Sequence, residues 1–227
     1  MFVMEIRCRG LLFDMDGVLV DSTPAVARVW ATWAKKFSFD ADDVVRRAHG
    51  RPSISTIREL LPGGDHHAED REIEQAEIDD VVDIVALPGV AELLRALPSD
   101  RFAVVTSATH PLAVVRIRAA GIAIPRNLVT ASDIRRGKPD PEPYLRGAQS
   151  LQLPAPDCVV IEDAPAGIQS AKAAGARVIA LRTTTDDPAL FSAGADWIVT
   201  NCRSITLRPI ENHGGLILDL HEPHSPL

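Results

Sequence analysis

The second half of the chain alternates short, continuously apolar runs with segments of helical periodicity. The apolar runs cover residues 102–105, 158–161 and 177–181, and a helical pattern precedes each of them. Strands that are apolar throughout are buried on both faces, which is typical of a parallel sheet with helices packed on either side. Residues 88–200 therefore predict an α/β fold built on a parallel sheet.

One further strand is predicted far upstream, at residues 11–13, and the chain between it and residue 88 has a different character. Residues 22–87 contain helical patterns but no convincing strand. The simplest architecture is a doubly wound, Rossmann-like parallel-sheet core with an all-helical cap inserted after the first strand. The predicted domains are a core of residues 1–21 and 88–227 and a cap of residues 22–87. The tail after Ile205 has no clear pattern.

The composition argues against several classes of function. The chain has 227 residues and a formal net charge of −7, which argues against a nucleic-acid-binding surface. It lacks an apolar run of the roughly 18–20 residues that a membrane-spanning helix needs, and it shows no signal-peptide pattern. Cys8, Cys158 and Cys202 are odd in number and far apart. We therefore expect neither a disulfide framework nor a zinc site, and we expect a cytoplasmic location.

Two carboxylates follow the first predicted strand, in the stretch Asp14-Met15-Asp16-Gly17-Val18. Side chains two residues apart point the same way along an extended chain, and Gly17 allows a sharp turn after them. Like charges at this spacing repel each other unless a cation or a proton lies between them. The pair suits a carboxylate nucleophile next to a carboxylate acid or base, both near a hard cation such as Mg²⁺. A loop with two solvated acids is the alternative.

Polar residues also occur at three later points of the predicted sheet. Val104-Val105-Thr106-Ser107 ends one strand, Gly137-Lys138-Pro139 lies in a loop, and Ile161-Glu162-Asp163 ends another strand. Ligands of parallel sheets bind at the carboxyl ends of the strands. A threonine hydroxyl and exposed amides suit phosphate oxygens, and a lysine could neutralise their charge. Taken singly, Thr106 could be an ordinary strand end, Lys138 a solvated lysine, and Asp163 an N-cap.

In this order, the four segments resemble the motifs of the haloacid dehalogenase-like hydrolase superfamily, in the subclass that carries a helical cap. The resemblance covers essentially residues 9–200. It rests on four stretches: Asp14-Met15-Asp16-Gly17-Val18, Val104-Val105-Thr106-Ser107, Gly137-Lys138-Pro139 and Ile161-Glu162-Asp163-Ala164-Pro165-Ala166-Gly167-Ile168. It implies a phosphatase that uses Mg²⁺ as its cofactor and forms an aspartyl-phosphate intermediate.

The resemblance also implies a role for each matched residue. Asp14 would be the nucleophile, and Asp16 would protonate the leaving alkoxide and then activate water. Thr106 and the backbone of Ser107 would hold phosphoryl oxygens, and Lys138 would neutralise charge. The implied Mg²⁺ ligands all offer oxygen, with Glu162 acting directly or through water: Asp14, the backbone carbonyl of Asp16, Asp163 and Glu162.

Within the superfamily, residues 21–26 with Trp30 and Trp33, and the cap segment at residues 48–57, resemble the sugar-phosphate and glycerol-phosphate phosphatases. This resemblance implies a phosphatase of small phosphorylated sugars or polyols. Asp16 argues against a dehalogenase, because dehalogenases lack the second aspartate of the first motif. Members that resemble β-phosphoglucomutase carry a histidine about twelve residues after the nucleophile, where this chain has Val26. A sugar phosphomutase remains the alternative function. A catalytically silent binding protein is a third hypothesis, and the intact motifs argue against it. No pattern indicates the oligomeric state.

His49 and Arg51 are the candidate substrate-binding residues of the predicted cap, and Ser107 is the candidate in the core. Gly50 and Pro52 stiffen the loop around Arg51, just before a helix whose N-terminus favours anions. The two side chains could therefore bond sugar hydroxyls or the phosphate when the cap closes. The alternative is a solvated Arg51 and a His49 that packs between helices.

Two other features of the predicted cap have structural interpretations. Trp30 and Trp33 lie on the apolar stripe of a helix, so we expect them in the core of the cap. The acidic stretch at residues 69–83 has only loose apolar periodicity, so we expect a solvated helix face. The alternatives are that the two tryptophans form a platform for the substrate and that the acidic stretch rejects highly anionic substrates electrostatically.

Overall fold

The centre of the molecule is a six-stranded parallel sheet, seen in a computed structural model that describes residues 3–48, 52–208 and 215–223. Its neighbouring strands all run parallel. Across the sheet the strands are β6 (Leu128–Val129), β5 (Phe102–Val105), β2 (Gly10–Phe13), β7 (Cys158–Glu162), β8 (Arg177–Leu181) and β9 (Trp197–Val199). The predicted parallel sheet is confirmed.

Helices cover both faces of this sheet. On one face α5 (Val90–Ala96) and α6 (His110–Ala119) pack against side chains such as Leu11 and Phe13. On the other face, packed against side chains such as Leu12, lie three helices: α7 (Glu142–Ser150), α8 (Pro165–Ala173) and α9 (Asp187–Ser192). Alternate residues of β2 thus enter opposite layers, as strand geometry requires. The core is doubly wound, as predicted.

Between β2 and α5 the described chain is mainly helical. It forms four helices: α1 (Thr23–Lys36), α2 (Ala41–Ala48), α3 (Ser53–Leu60) and α4 (His66–Asp79). These helices enclose a hydrophobic cluster of their own, which contains Trp30 and Trp33, as expected for those two residues. We call α1–α4 the helical unit. The domain boundaries at residues 22 and 87 stay a prediction.

Short and terminal strands are where the structure differs from the predicted elements. β3 (Val20–Asp21) pairs antiparallel with β4 (Val85–Ala86), so the segment 22–87 does contain a strand, of two residues. The two ends of the chain form a second, antiparallel sheet with the order β1 (Val3–Cys8), β11 (Leu216–His221) and β10 (Ile205–Arg208). None of these strands was predicted.

Two structural findings concern features that the composition argued against, a membrane-spanning helix and a disulfide framework. No helix in the described part of the chain is long and apolar enough to cross a membrane. Cys8, Cys158 and Cys202 are all free and buried. Burial raises the pKa of the Cys8 and Cys202 thiols to about 12 and that of Cys158 to about 11, so these thiols stay protonated at neutral pH. The cytoplasmic location stays a prediction.

Candidate active site

The predicted catalytic residues meet at the carboxyl ends of three adjacent strands. β2 lies between β5 and β7, and Phe13 pairs in register with Val104 on one side and Ile161 on the other. The residues that follow these positions are therefore neighbours in space. This register brings Asp14 close to Glu162.

Lys138 joins the first and last of these strand ends. Its ammonium donates to Asp14 Oδ1 at 2.6 Å and to Glu162 Oε1 at 2.7 Å. The side chain is only 8% exposed. Burial alone lowers the pKa of Lys138, but the two carboxylates outweigh it and raise the pKa, so the group is a permanent cation. The interpretation of Lys138 as a solvated surface lysine is wrong.

Glu162 is fully occupied by hydrogen bonds. Oε1 accepts from Lys138 and from the Tyr144 hydroxyl at 2.9 Å, and Oε2 accepts from the backbone N–H groups of Asp163 and Ala164. Its side chain is 1% exposed. A carboxylate has about four lone-pair sites, and all four have donors here. Glu162 therefore holds Lys138 and the start of α8 in place.

Asp163 is buried but incompletely bonded. Oδ2 accepts from the Thr184 hydroxyl, whereas Oδ1 is buried without a hydrogen-bond partner among the described residues. Burial raises the pKa of Asp163 well above its usual range, as it also does for Asp14, because the charged forms are poorly solvated. Asp163 does not cap α8, whose N-cap is Ala164. The N-cap alternative for Asp163 is wrong.

This acidic cluster fits a divalent cation. Asp14, Glu162 and Asp163 each offer an oxygen atom, and these atoms lie within 4.8 Å of one another. Lys138 supplies one positive charge against three carboxylates, and Oδ1 of Asp163 lacks a partner. Oxygen-only donors and an excess of negative charge suit a hard cation such as Mg²⁺. Since Glu162 is already saturated, Asp14 and Asp163 are the side chains with free oxygen lone pairs.

Glycine at position 17 lets the first loop approach this cluster. Gly17 has φ of +80°, and a Cβ atom there would collide with the Asp163 carboxylate. Gly17 also donates from its backbone to the Val20 carbonyl at 2.8 Å. The loop after Asp14 thus turns back tightly over Asp163, which only glycine allows.

Thr106 and Ser107 lie at the end of β5 and line the same cleft. Thr106 is buried, and its hydroxyl oxygen accepts from the Ala108 N–H at 3.1 Å. Ser107 is exposed. An acceptor role for the Thr106 oxygen leaves its proton free to be donated, which is what an anionic oxygen in the cleft requires.

Asp16 lies beside the cluster without joining it. Its carboxylate is not part of the acidic cluster of Asp14, Glu162 and Asp163. Instead Oδ1 accepts from the Ser22 hydroxyl at 2.6 Å, and Oδ2 accepts from Arg116 at 3.0 Å. The predicted metal contact of Asp16 was through its backbone carbonyl, and it stays a prediction.

The cleft between the core and the helical unit has a volume of about 300 Å³. Its walls include Val26 and Trp30 of α1, together with three acids of α4: Asp70, Glu74 and Glu77. Glu77 is buried, so the expectation of a wholly solvated acidic face is wrong for this side of α4. The helix turns three carboxylates at positions i, i+4 and i+7 towards the cleft.

The predicted substrate-binding residues His49 and Arg51 lie outside the described residues. Ala48 and Pro52, which flank that segment, both line the cleft. The substrate-binding role of His49 and Arg51 stays a prediction.

Sequence reasoning missed four side chains that complete the site. Tyr144 and Thr184 bond the motif carboxylates, and Arg116 and Glu77 form an ion pair at 3.1 Å next to Asp16. Arg116 had one readable signal, since it lies four residues after Leu112 on the apolar face of a helix. No local sequence pattern indicated Tyr144, Thr184 or Glu77, because their partners are distant in the sequence.

Comparison with known proteins agrees with this geometry. The family described as haloacid dehalogenase-like hydrolase matches residues 8–175. The chain belongs to this family. It is 43% identical to hexitol phosphatase A of Escherichia coli over 89% of this chain and 95% of that protein. It is 36% identical to glycerol-1-phosphate phosphohydrolase 2 of Saccharomyces cerevisiae over 89% and 86% of the two chains.

A solved structure is similar as well. The crystal structure of a hydrolase from Pseudomonas syringae matches with a TM-score of 0.76 and 27% identity, over 86% of this chain and 94% of that one. Together with the family match and the phosphatase relatives, this similarity identifies the chain as an enzyme, a phosphoric monoester hydrolase.

The Tyr144–Glu162 bond leads to a stability prediction. Tyr144→Phe should lower the free energy of unfolding by about 1–3 kcal/mol, because a buried carboxylate loses a donor. Urea-induced unfolding measures the change. Thr32→Val, which removes an exposed hydroxyl, is the control and should change stability by less than about 0.5 kcal/mol. Equal effects of the two substitutions would contradict the structural role of Tyr144.

Proposed function

We propose that the chain is a Mg²⁺-dependent phosphatase that hydrolyses small phosphorylated sugars or polyols through an aspartyl-phosphate on Asp14. The observation that carries this proposal is the bond between Asp14 and buried Lys138 at the edge of an acidic cluster with an unpartnered oxygen. The names of the relatives support the substrate class. The partner of the enzyme is thus a small phosphorylated metabolite in the cytoplasm.

Asp14 attacks the phosphorus in the first step. One carboxylate oxygen forms the new P–O bond while the bond from phosphorus to the substrate oxygen breaks. Lys138 lies against Asp14 and reduces the repulsion between carboxylate and phosphoryl group. The Thr106 hydroxyl and the backbone of Ser107 hold phosphoryl oxygens at the end of β5.

Asp16 moves the protons in both steps. Its carboxyl group gives a proton to the departing alkoxide, and its carboxylate then takes a proton from the water that attacks the phosphoryl-aspartate. Its side chain lines the cleft on the same loop as Asp14. General acid–base catalysis of this kind typically contributes about 10²–10⁴-fold in rate.

The carboxylates of Asp14 and Asp163, with the backbone carbonyl of Asp16, would hold Mg²⁺. When bound, it supplies positive charge that stabilises the phosphoryl oxygens. Glu162 acts through water or by holding Lys138, since its four acceptor sites are taken. The raised pKa values of Asp14 and Asp163, caused by burial, support the need for a cation.

The cleft walls support an uncharged, hydroxyl-rich leaving group. Asp70 and Glu74 line the cleft, and carboxylates accept hydrogen bonds from hydroxyl groups. A second anionic group on the substrate would be repelled by them. We assign His49 and Arg51, beside the cleft-lining Ala48 and Pro52, to substrate selection.

A sugar phosphomutase of the β-phosphoglucomutase type fits the cleft less well. Such an enzyme must bind a bisphosphate, so the helical unit must hold a second phosphate. The described cleft residues of the helical unit instead include the carboxylates of Asp70 and Glu74, which would repel a phosphate. Val26, at the position where mutase-like members have histidine, lines the cleft and has no proton to transfer.

A substrate panel tests the proposed function. With Mg²⁺, release of inorganic phosphate should have the highest kcat/KM for hexitol, glycerol and sugar monophosphates. Nucleoside monophosphates and sugar bisphosphates should be poor substrates because of their bulk or second charge. Equal rates on all esters would contradict the substrate class. Isomerisation of glucose 1-phosphate that needs a bisphosphate primer would establish the mutase instead.

The nucleophile has its own test. Asp14→Asn should lower kcat by at least about 10⁴-fold, because the covalent step is lost. Acid quenching with a radiolabelled substrate should trap label on the wild-type enzyme and none on the variant. Asp100→Asn, at an exposed aspartate, is the matched control and should label normally. An Asp14→Asn enzyme within tenfold of wild type would exclude Asp14 as the nucleophile.

The metal site is tested at Asp163. Asp163→Asn should raise the Mg²⁺ concentration for half-maximal activity by about tenfold or more, because a charged oxygen ligand is lost. Calorimetric titration with Mg²⁺ should show the same weakening without any substrate. Asp100→Asn again serves as the control. Unchanged Mg²⁺ affinity in both measurements would remove Asp163 from the ligand set.

A further inference from the structure

Arg116 is a buried arginine between two carboxylates that come from different parts of the fold. It lies on α6 of the core, and its side chain is 6% exposed. One terminal nitrogen donates to Asp16 Oδ2 at 3.0 Å, and the other donates to Glu77 Oε2 at 3.1 Å. Asp16 belongs to the loop after β2, whereas Glu77 belongs to α4 of the helical unit. The arginine thus connects the two halves of the cleft.

Burying a guanidinium is costly, so this placement needs a reason. The effective penalty for burying an ion is several kcal/mol, and only good geometry with its partners offsets it. Part of this penalty is not offset, because Arg116 Nε is buried without a partner among the described residues. Arg118, two positions on, is exposed. The reason for the burial of Arg116 must then lie in the two carboxylates that it contacts.

Arg116 and Ser22 together immobilise the Asp16 carboxyl group. Ser22 donates to Oδ1 at 2.6 Å, while Arg116 donates to Oδ2. With a donor on each oxygen, rotation of the carboxyl group would break both bonds. The guanidinium of arginine holds its donors in a rigid planar fork. Arg116 therefore fixes the orientation of the Asp16 carboxyl group, which must contact the leaving oxygen.

Glu77 makes the orientation of Arg116 depend on the helical unit. Its carboxylate holds the second terminal nitrogen of Arg116. A second contact joins the same two helices, since the Thr109 hydroxyl at the start of α6 donates to Glu74 of α4. If α4 moves away from α6, Arg116 loses one of its two anionic partners. Its orientation towards Asp16 is then no longer fixed from both sides.

We propose that Arg116 is a positioning residue that aligns the Asp16 carboxyl group with the leaving oxygen, and that Glu77 makes this alignment depend on the docking of α4 against α6. The inference rests on the proposed function, in which Asp16 is the acid and base. It adds a reason for the location of the acidic residues of α4. Chemistry at Asp16 is competent when the helical unit is docked.

The dependence of kcat/KM on the leaving group tests this role of Arg116. An alkoxide is a poor leaving group and needs the proton from Asp16 as its bond to phosphorus breaks. A nitrophenolate is a good leaving group and departs without that proton. The parameter kcat/KM reports the steps up to departure of the leaving group, so misalignment of Asp16 should lower it for alkyl esters and spare activated aryl esters.

The experiment compares variants on a series of aryl phosphates, from a dinitrophenol ester to the phenol ester, and on glycerol phosphate. Arg116→Met should lower kcat/KM about 10²-fold on glycerol phosphate and less than about fivefold on the dinitrophenyl ester. The dependence on leaving-group basicity should become steeper. Glu77→Gln should act in the same direction with a smaller loss, about tenfold on glycerol phosphate.

Two further variants make the result decisive. Arg118→Met removes an exposed arginine from the same helix and should match wild type on every ester. Arg116→Lys keeps the charge without the fork, so it should lie between wild type and Arg116→Met. It also replaces Arg116→Met if that variant does not fold, which thermal unfolding will show.

The outcomes separate this inference from the proposed function. Equal losses on all esters, or no loss on any, would overturn the positioning role while leaving the phosphatase intact. A steeper dependence in the Arg116 variants with an unchanged Glu77→Gln enzyme would overturn the coupling to α4. A wild-type enzyme that releases phosphate from none of the esters would overturn both the function and this inference.

Discussion

The bond of Lys138 to Asp14 and Glu162 is the interaction on which the site depends. Three carboxylates meet where the strands end, and without a cation between them their repulsion would oppose the close packing of β2 and β7. Lys138 supplies part of the compensating charge from a loop on the same edge of the sheet. The saturated hydrogen bonding of Glu162 holds the lysine in place. The packing of the strand ends and the proposed chemistry thus depend on the same ion pair.

Most of the core could be predicted from the sequence, for a physical reason. β2, β5, β7 and β8 are buried on both faces, so their continuous apolar runs are visible without any knowledge of their partners. The terminal strands were not predicted because their stability comes from pairing between the ends, as with Val3 and His221. Pairing between such distant positions leaves only a weak local signal.

The same distinction applies to the site. Asp14, Lys138 and Asp163 were predicted because they occur in short motifs at strand ends. Arg116 lies 100 residues from Asp16, so its contact could not be inferred from spacing. The acidic stretch of α4 was misjudged because composition reports charge but not direction. Which carboxylates face a cleft depends on where the helix docks.

The sequence separation of Asp14 and Lys138 has a consequence for the synthesis of the protein. Asp14 and Lys138 are 124 residues apart, and Glu162 follows 24 residues after the lysine. The ribosome therefore adds Asp14, the proposed nucleophile, to the chain well before it adds Lys138. Contacts between such distant residues form late, because closing long loops costs entropy. Under the proposed mechanism, a chain whose sheet is incomplete lacks the bond between Asp14 and Lys138, so we expect it to be inactive.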